Sequence, residues 1–286
     1  FNLDDLQDRR LARPMIRIES FRGESKYDFV YMPTFREAEL ADMDSIWYPI
    51  DRARSKILGI EVNPALAALM PTSSIVNDAP DTDHAAALRF TSSASDVDYG
   101  VTVQHGRQTV PYFSYNAGTN TFEARYPRSW AVGGDFAFES EGVTWRFEGA
   151  WLSDVPVTNN LGYTEVEGLN WAAGMEFYPG DADTRVNLQL AGNHLLDADN
   201  VVERVNVYNF NGSVNIPFAE ERWRANVRFF FGLDEEDIYV NPEIAFVGWE
   251  PHELYLEAHY FDGDEGTLGG FHEDHSLISA GWRAKF

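Results

Sequence analysis

Apolar and polar residues alternate with a period of two from about residue 85 to the end of the chain. Val143, Trp145, Phe147, Gly149 and Trp151 fall on one side of an extended segment, and Thr144, Arg146 and Glu148 on the other. Successive side chains of a strand point to opposite faces, so this is the pattern of a strand with one apolar and one polar side. The same pattern opposes Trp223, Val227 and Phe229 to Arg224, Asn226 and Arg228, and Leu254, Leu256 and Ala258 to Glu253, Tyr255 and Glu257. Taken along the whole chain, it predicts strands near 14–22, 26–35, 85–93, 97–107, 121–139, 142–153 and 164–178. Further strands are predicted near 183–195, 203–217, 221–233, 237–249, 252–262 and 275–286.

Alternation alone also fits a soluble β-sandwich, whose polar faces meet water and whose apolar faces share a core. Three features favour a membrane barrel. The predicted strands reach about 10 to 17 residues, against about 5 or 6 in ordinary sheets. Tyr99, Trp130, Trp171, Trp223 and Trp282 stand on the apolar sides, where interfacial aromatic girdles belong. Short turns (near 23–25, 94–96, 140–142, 179–183, 219–221 and 250–252) alternate with longer, often acidic connections. The expected fold is therefore all-β: a transmembrane antiparallel up-and-down β-barrel, closed because an open edge in lipid leaves backbone groups unpaired.

The expected organisation is one barrel domain over 1–286, with 36–84 as a long extracellular or lumen-inserted loop. Within that loop Asn63 and Pro64 read as the start of a short helix with apolar side Leu66, Leu69 and Met70, ended by Pro71. The strand count is about thirteen, whereas bacterial single-chain barrels are even-numbered. Phe1–Arg13 resembles a loop, so the expectation is a C-terminal portion of a barrel of about 14 to 18 strands. The alternative is a complete barrel with one miscounted segment, Lys56–Val62 being the candidate.

The ending Ser279-Ala280-Gly281-Trp282-Arg283-Ala284-Lys285-Phe286 resembles the last strand of Gram-negative outer-membrane barrels. The resemblance implies that the terminal Phe286 is the signal read by the barrel-assembly machinery. Two further stretches, Tyr126–Phe136 (YPRSWAVGGDF) and Val143–Ala150 (VTWRFEGA), resemble the large barrels related to alginate exporters, often encoded beside RND-type export systems. That likeness covers about half the chain and carries over no catalytic residue.

Composition narrows the chemistry. The 46 Asp and Glu against 22 Lys and Arg give a formal net charge of −24, which argues against nucleic acid as a partner. There is no cysteine, so disulfides and thiolate metal sites are excluded. No apolar run reaches the roughly 18 residues of a membrane helix. The chain begins at Phe1 without a leader, so any signal peptide is expected to have been removed. The acidic excess gathers in loops such as Asp234–Asp237 and Asp262–Glu265; the latter lacks the spacing of a calcium loop. His272 and His275 are expected to be solvated loop histidines rather than metal ligands. No nucleophile elbow, phosphate loop or zinc-protease motif is present, so no catalytic residue, cofactor or metal is assigned.

The expected function is an outer-membrane channel, a porin or export conduit for small polar or acidic solutes. Pore-lining candidates are Arg146, Arg185, Arg224, Arg228, Arg283, Glu148, Glu176, Glu243 and Glu257, on a polar wall that also takes Arg17, Arg89, Arg125, Glu123 and Asp135. Arg185, Arg224 and Arg228 suggest a basic stripe, while neighbouring Arg and Glu can equally form ion-pair ladders that stiffen the wall. The alternative is a plugged structural or receptor barrel within an envelope complex. Expected partners are outer-membrane lipids, the assembly machinery and a homo-oligomer or envelope-complex partner.

Overall fold

The computed structural model describes residues 11–160, 162–180 and 183–284. In chain order the elements begin with β1 (Ile16–Arg22), β2 (Ser25–Met32), β3 (Ile50–Asp51), β4 (Lys56–Ile57), α1 (Pro64–Leu69) and β5 (Ser74–Val76). There follow β6 (Ala85–Ala94), β7 (Val97–Arg107), β8 (Tyr112–Asn116), β9 (Thr121–Arg125), β10 (Arg128–Ser140) and β11 (Val143–Asn159). The chain continues through β12 (Gly162–Phe177), β13 (Arg185–Leu196), β14 (Asn206–Phe218) and β15 (Trp223–Gly232). It ends with β16 (Asp237–Trp249), β17 (His252–Gly263), α2 (Leu268–His272) and β18 (Leu277–Ala284).

Thirteen of these strands form one antiparallel meander, β1-β2-β6-β7-β10-β11-β12-β13-β14-β15-β16-β17-β18, in which neighbours in the sheet follow one another along the chain apart from the inserts. Tight turns set the register. Ser95 and Asp96, and again Glu141 and Gly142, have positive φ, the geometry of a two-residue hairpin turn matched to the twist of the sheet. β1 and β18 are the two edges, and they do not pair with each other. No described helix is long and apolar enough to cross a membrane.

The register places the apolar positions on a single face. Ile18, Phe29, Leu88, Val103, Val132, Trp151 and Leu169 form one cross-strand row through seven strands. Farther along, Ile216, Ala225, Ile244, Leu256 and Ala280 form another. This face is not covered by protein: Ile18 is 60 % exposed, Val101 49 %, Leu256 49 % and Ile278 77 %. Soluble monomers rarely leave so extended an apolar surface bare.

The segment predicted as one strand over 121–139 is two. Pro127 has no N–H to give to a ladder, and beside it Tyr126 is buried, its hydroxyl bonded to Glu37 and Asn77. The chain turns there, and β9 joins β8 and β5 in a separate small sheet, pairing with β5 in parallel. Arg125 and Glu123 therefore lie outside the meander. Lys56–Val62 is not a missed strand of it either: Lys56 pairs with Asp51 and Ile57 with Ile50, then Gly59 (φ 90°) turns the chain and Ile60 makes a single bridge back to Ile57.

Residues 36–84 and the β7–β10 connection fold into one compact insert around Tyr48, Ile50, Ile57, Val62, Met70 and Phe122. The predicted helix is present as α1, with Asn63 Oδ1 accepting from Leu66 N at 2.9 Å. It runs on into a short 3-10 turn that contains Pro71, and Leu69 points outward, 44 % exposed. The insert touches connections all along one end of the sheet. Within it Ala38 N donates to Thr109 O; outward, Tyr112 reaches Thr158 and Glu203, and Gly59 N donates to Gly266 O. Laid flat, β2 and β17 would be ten strand spacings apart, about 48 Å. Contact of one small unit with both regions requires the sheet to curl.

Candidate functional site

The face opposite the apolar one carries the charged and amide side chains, and the register sorts them into clusters. Near the short turns, Arg146 of β11 and Arg185 of β13 converge on Glu176 of β12, at 2.9 and 3.0 Å. Glu176 is buried between them and also accepts from Tyr178 at 2.9 Å. On the last four strands, Arg224 holds Glu253 at 2.6 Å and Glu243 at 3.4 Å, while Arg283 holds the same two at 3.1 and 2.9 Å. Arg283 also lies over the Tyr255 ring, 3.9 Å from its centre. Arg89 pairs with Asp135 at 2.8 Å, and Arg17 and Lys26 pair with Asp28 and Glu19.

Six of the nine pore-lining candidates are thus brought together in two ion clusters: Arg146, Glu176 and Arg185 in one, Arg224, Glu243 and Arg283 in the other. Arg228 instead donates to Asn241 Oδ1 at 2.9 Å, and Glu257 accepts from Ser279 at 2.9 Å. Glu148 is exposed, with Asp135 and Ala172 as its cross-strand neighbours, and makes no ion pair among the described residues. The basic stripe expected from Arg185, Arg224 and Arg228 does not form. Arg185 turns to Glu176, and Asn215 and Asn226 stand in its row before Glu243.

All five girdle candidates lie on the apolar face. Tyr99, Trp223 and Trp282 are near the short turns, Trp130 is near the long connections, and Trp171 is mid-strand. Trp171 lies over Gly192, where a Cβ would come within 2.5 Å of its Nε1. Phe286 lies outside the described residues.

Two arrangements were not anticipated from sequence. One is a field of amides on the polar face of β13 to β16, including Asn187, Gln189, Asn211 and Asn226. Their alternation along β13 and β14 is visible in the sequence, but only the register shows that they adjoin. The other is the attachment of the insert to the β17–β18 connection. Arg54 contacts Asp274 at 3.2 Å and His275 at 2.6 Å, and Lys56 contacts Glu273 at 2.6 Å and Gly270 O at 2.9 Å.

His272 is not a solvated loop residue. It is buried in α2 against Trp47, Phe261 and Phe271. Gly269 and Gly270 allow this, since a Cβ on either would meet the carbonyl oxygen of Asp262 or Asp264 at about 2.0 Å. Burial, followed by the neighbouring His275, Arg54 and Lys56, lowers the His272 imidazole to about 4. His275 is lowered by burial and Arg54. Elsewhere in the insert, burial and then Glu203 push the Tyr112 phenol well above its usual range. The acidic connections fix backbone: Asp264 accepts from Glu236 N at 3.0 Å and Glu265 from Val62 N at 3.4 Å. Among the described residues no three His, Asp or Glu side chains gather as a metal site.

No protein-family model matches the chain, and no curated protein matches it.

Proposed function

We propose that this chain forms the wall of an outer-membrane β-barrel that conducts small polar solutes. The observation that carries the reading is the uncovered apolar face running across all thirteen strands, backed by a face of ion clusters and amides. In water such a surface would drive aggregation, whereas in a bilayer it is the solvated side and the polar face lines an aqueous path. Both edges of an odd-stranded meander point the same way, so joining β1 to β18 directly would make a parallel pair. An odd number of further antiparallel strands would close the wall with an even count, in keeping with a barrel of about 14 to 18 strands. Lipids and the barrel-assembly machinery are the partners this reading requires.

Purified protein in a planar bilayer under a salt gradient tests it. The expected result is a stable open conductance, with faster migration of the unheated than of the heated protein on a denaturing gel. Absence of both overturns the barrel. Conductance that is absent despite heat-modifiable migration favours the second reading, a plugged structural or receptor barrel. That reading has its own support in the insert, which reaches from the β2–β6 connection to the β17–β18 connection. Arg54→Ala with Lys56→Ala should lengthen channel openings if the insert gates the path; unchanged openings would mean that it does not.

A further inference from the structure

We propose that the polar face of β13 to β16 is a binding site for a neutral, polyhydroxylated solute, of the chemistry of an uncharged glycan chain. This rests on the channel reading only for how the solute arrives, not for the site itself. Three cross-strand rows build it. Asn187, Ser213, Arg228 and Asn241 form one, and Gln189, Asn211, Phe230 and Tyr239 the next toward the insert. On the other side, Arg185, Asn215, Asn226 and Glu243 form the third. All of the first two rows except Asn241 line a concavity of about 510 Å³, within the range of small-molecule sites.

The chemistry of the rows selects the ligand class. A side-chain amide offers a donor and an acceptor together, which is what a hydroxyl also offers and what a carboxylate or ammonium does not. Asn187, Gln189, Ser213 and Asn226 spend none of this capacity within the protein: their side chains make no hydrogen bond to another described residue. Others are fixed. Asn211 donates to Asn209 at 2.8 Å, and Asn241 accepts from Arg228 while donating to Ala258 O at 2.8 Å. The held amides orient the row, and of the uncommitted side chains Asn187, Gln189 and Ser213 line the concavity. Phe230 adds an apolar surface of the kind that the C–H face of a sugar ring packs against.

Charge points the same way. Of the arginines nearest the site, Arg185 is neutralised by Glu176 and Arg224 by Glu243 and Glu253, which leaves Arg228, hydrogen-bonded to Asn241, as a single cation at the concavity rather than one of a row. No cationic row is left to attract an acidic chain, and the net charge of −24 repels one.

Saturation-transfer NMR on the full chain in detergent, with maltohexaose and hexagalacturonate as neutral and acidic probes, tests the proposal without requiring conduction. Transfer to maltohexaose and not to hexagalacturonate is expected. Asn187→Ala with Gln189→Ala should weaken the neutral probe about ten-fold, the effect of losing one or two hydrogen bonds. The far-ultraviolet circular dichroism of that variant should be unchanged, which separates lost contacts from a lost fold. In a planar bilayer maltohexaose should interrupt the current reversibly. No transfer to maltohexaose, or equal transfer to both probes, overturns the site whatever the conductance. Transfer with a silent bilayer would instead retain the site and overturn the channel.

Discussion

Glu176 shows how much of this wall depends on single side chains. Two arginines from the strands on either side reach it, and the carboxylate is buried while both guanidinium groups are about half exposed. Removing it leaves two cations facing each other without their shared anion. Solvent screens the arginines, so Glu176→Ala should cost about 1 to 3 kcal/mol rather than the full penalty of a buried pair. Glu148→Ala, at an exposed position with no ion pair among the described residues, should stay within about 0.5 kcal/mol. Urea midpoints of the two variants in detergent or lipid check this, and equal losses would refute the special place of Glu176. Arg146, Glu148 and Glu176 could all be read from alternation as facing the polar side. Which of them meet could not, because the partners sit on different strands and only the register decides between Glu176 and Glu148.

At the scale of elements, the contact between the insert and α2 is sensitive to acid. His272 is faced by His275 from its own connection and by Arg54 and Lys56 from the insert, with Trp47 and Phe261 as apolar walls. Asp51, Glu273 and Asp274 neutralise the two insert cations. The imidazole is near 6.5 when unfolded and about 4 when folded, so the folded form favours the neutral ring. The stabilisation is complete above about pH 6.5 and is lost as pH falls toward 4. Hydrogen-exchange protection of residues 47–60, taken relative to the intrinsic rate at each pH, should therefore fall between pH 6.5 and 4, and His272→Gln should remove most of that dependence. An unchanged profile in the variant would assign the effect to the carboxylates instead. None of this was legible beforehand, since Gly269 and Gly270 look like loop residues until the strands they press against are known. The helix start at Asn63-Pro64 was legible because it is local, whereas the core of the insert joins Tyr48 to Phe122, about a quarter of the chain apart. The helix cap can be checked separately: Asn63→Ala should lower the stability of the insert by about 1 kcal/mol, read as faster proteolysis there.

For the whole molecule, alternation placed every meander strand, because a period of two is a local property and thirteen strands repeat it. It did not reveal the break at Pro127 or the curling of the sheet, which depend on where the insert docks. The question left at this scale is what solvates the apolar face, and neighbouring positions on β7 answer it. Val101 is on the apolar face and 49 % exposed, paired with Phe90 and Gly134. Gln104 is on the polar face, also exposed, with Ala87 and Ala131 opposite. In water, arginine at either exposed position would shift stability by no more than about 0.5 kcal/mol. In a bilayer the two positions separate. An arginine on the lipid side near mid-depth costs about 2 to 4 kcal/mol, while one on the aqueous side is tolerated. Val101→Arg should thus lower the unfolding free energy in lipid vesicles by that amount, and Gln104→Arg should leave it nearly unchanged. If both are neutral, the apolar face does not meet hydrocarbon and the barrel reading fails. If Gln104→Arg is the costly one, the two faces have been assigned the wrong way round.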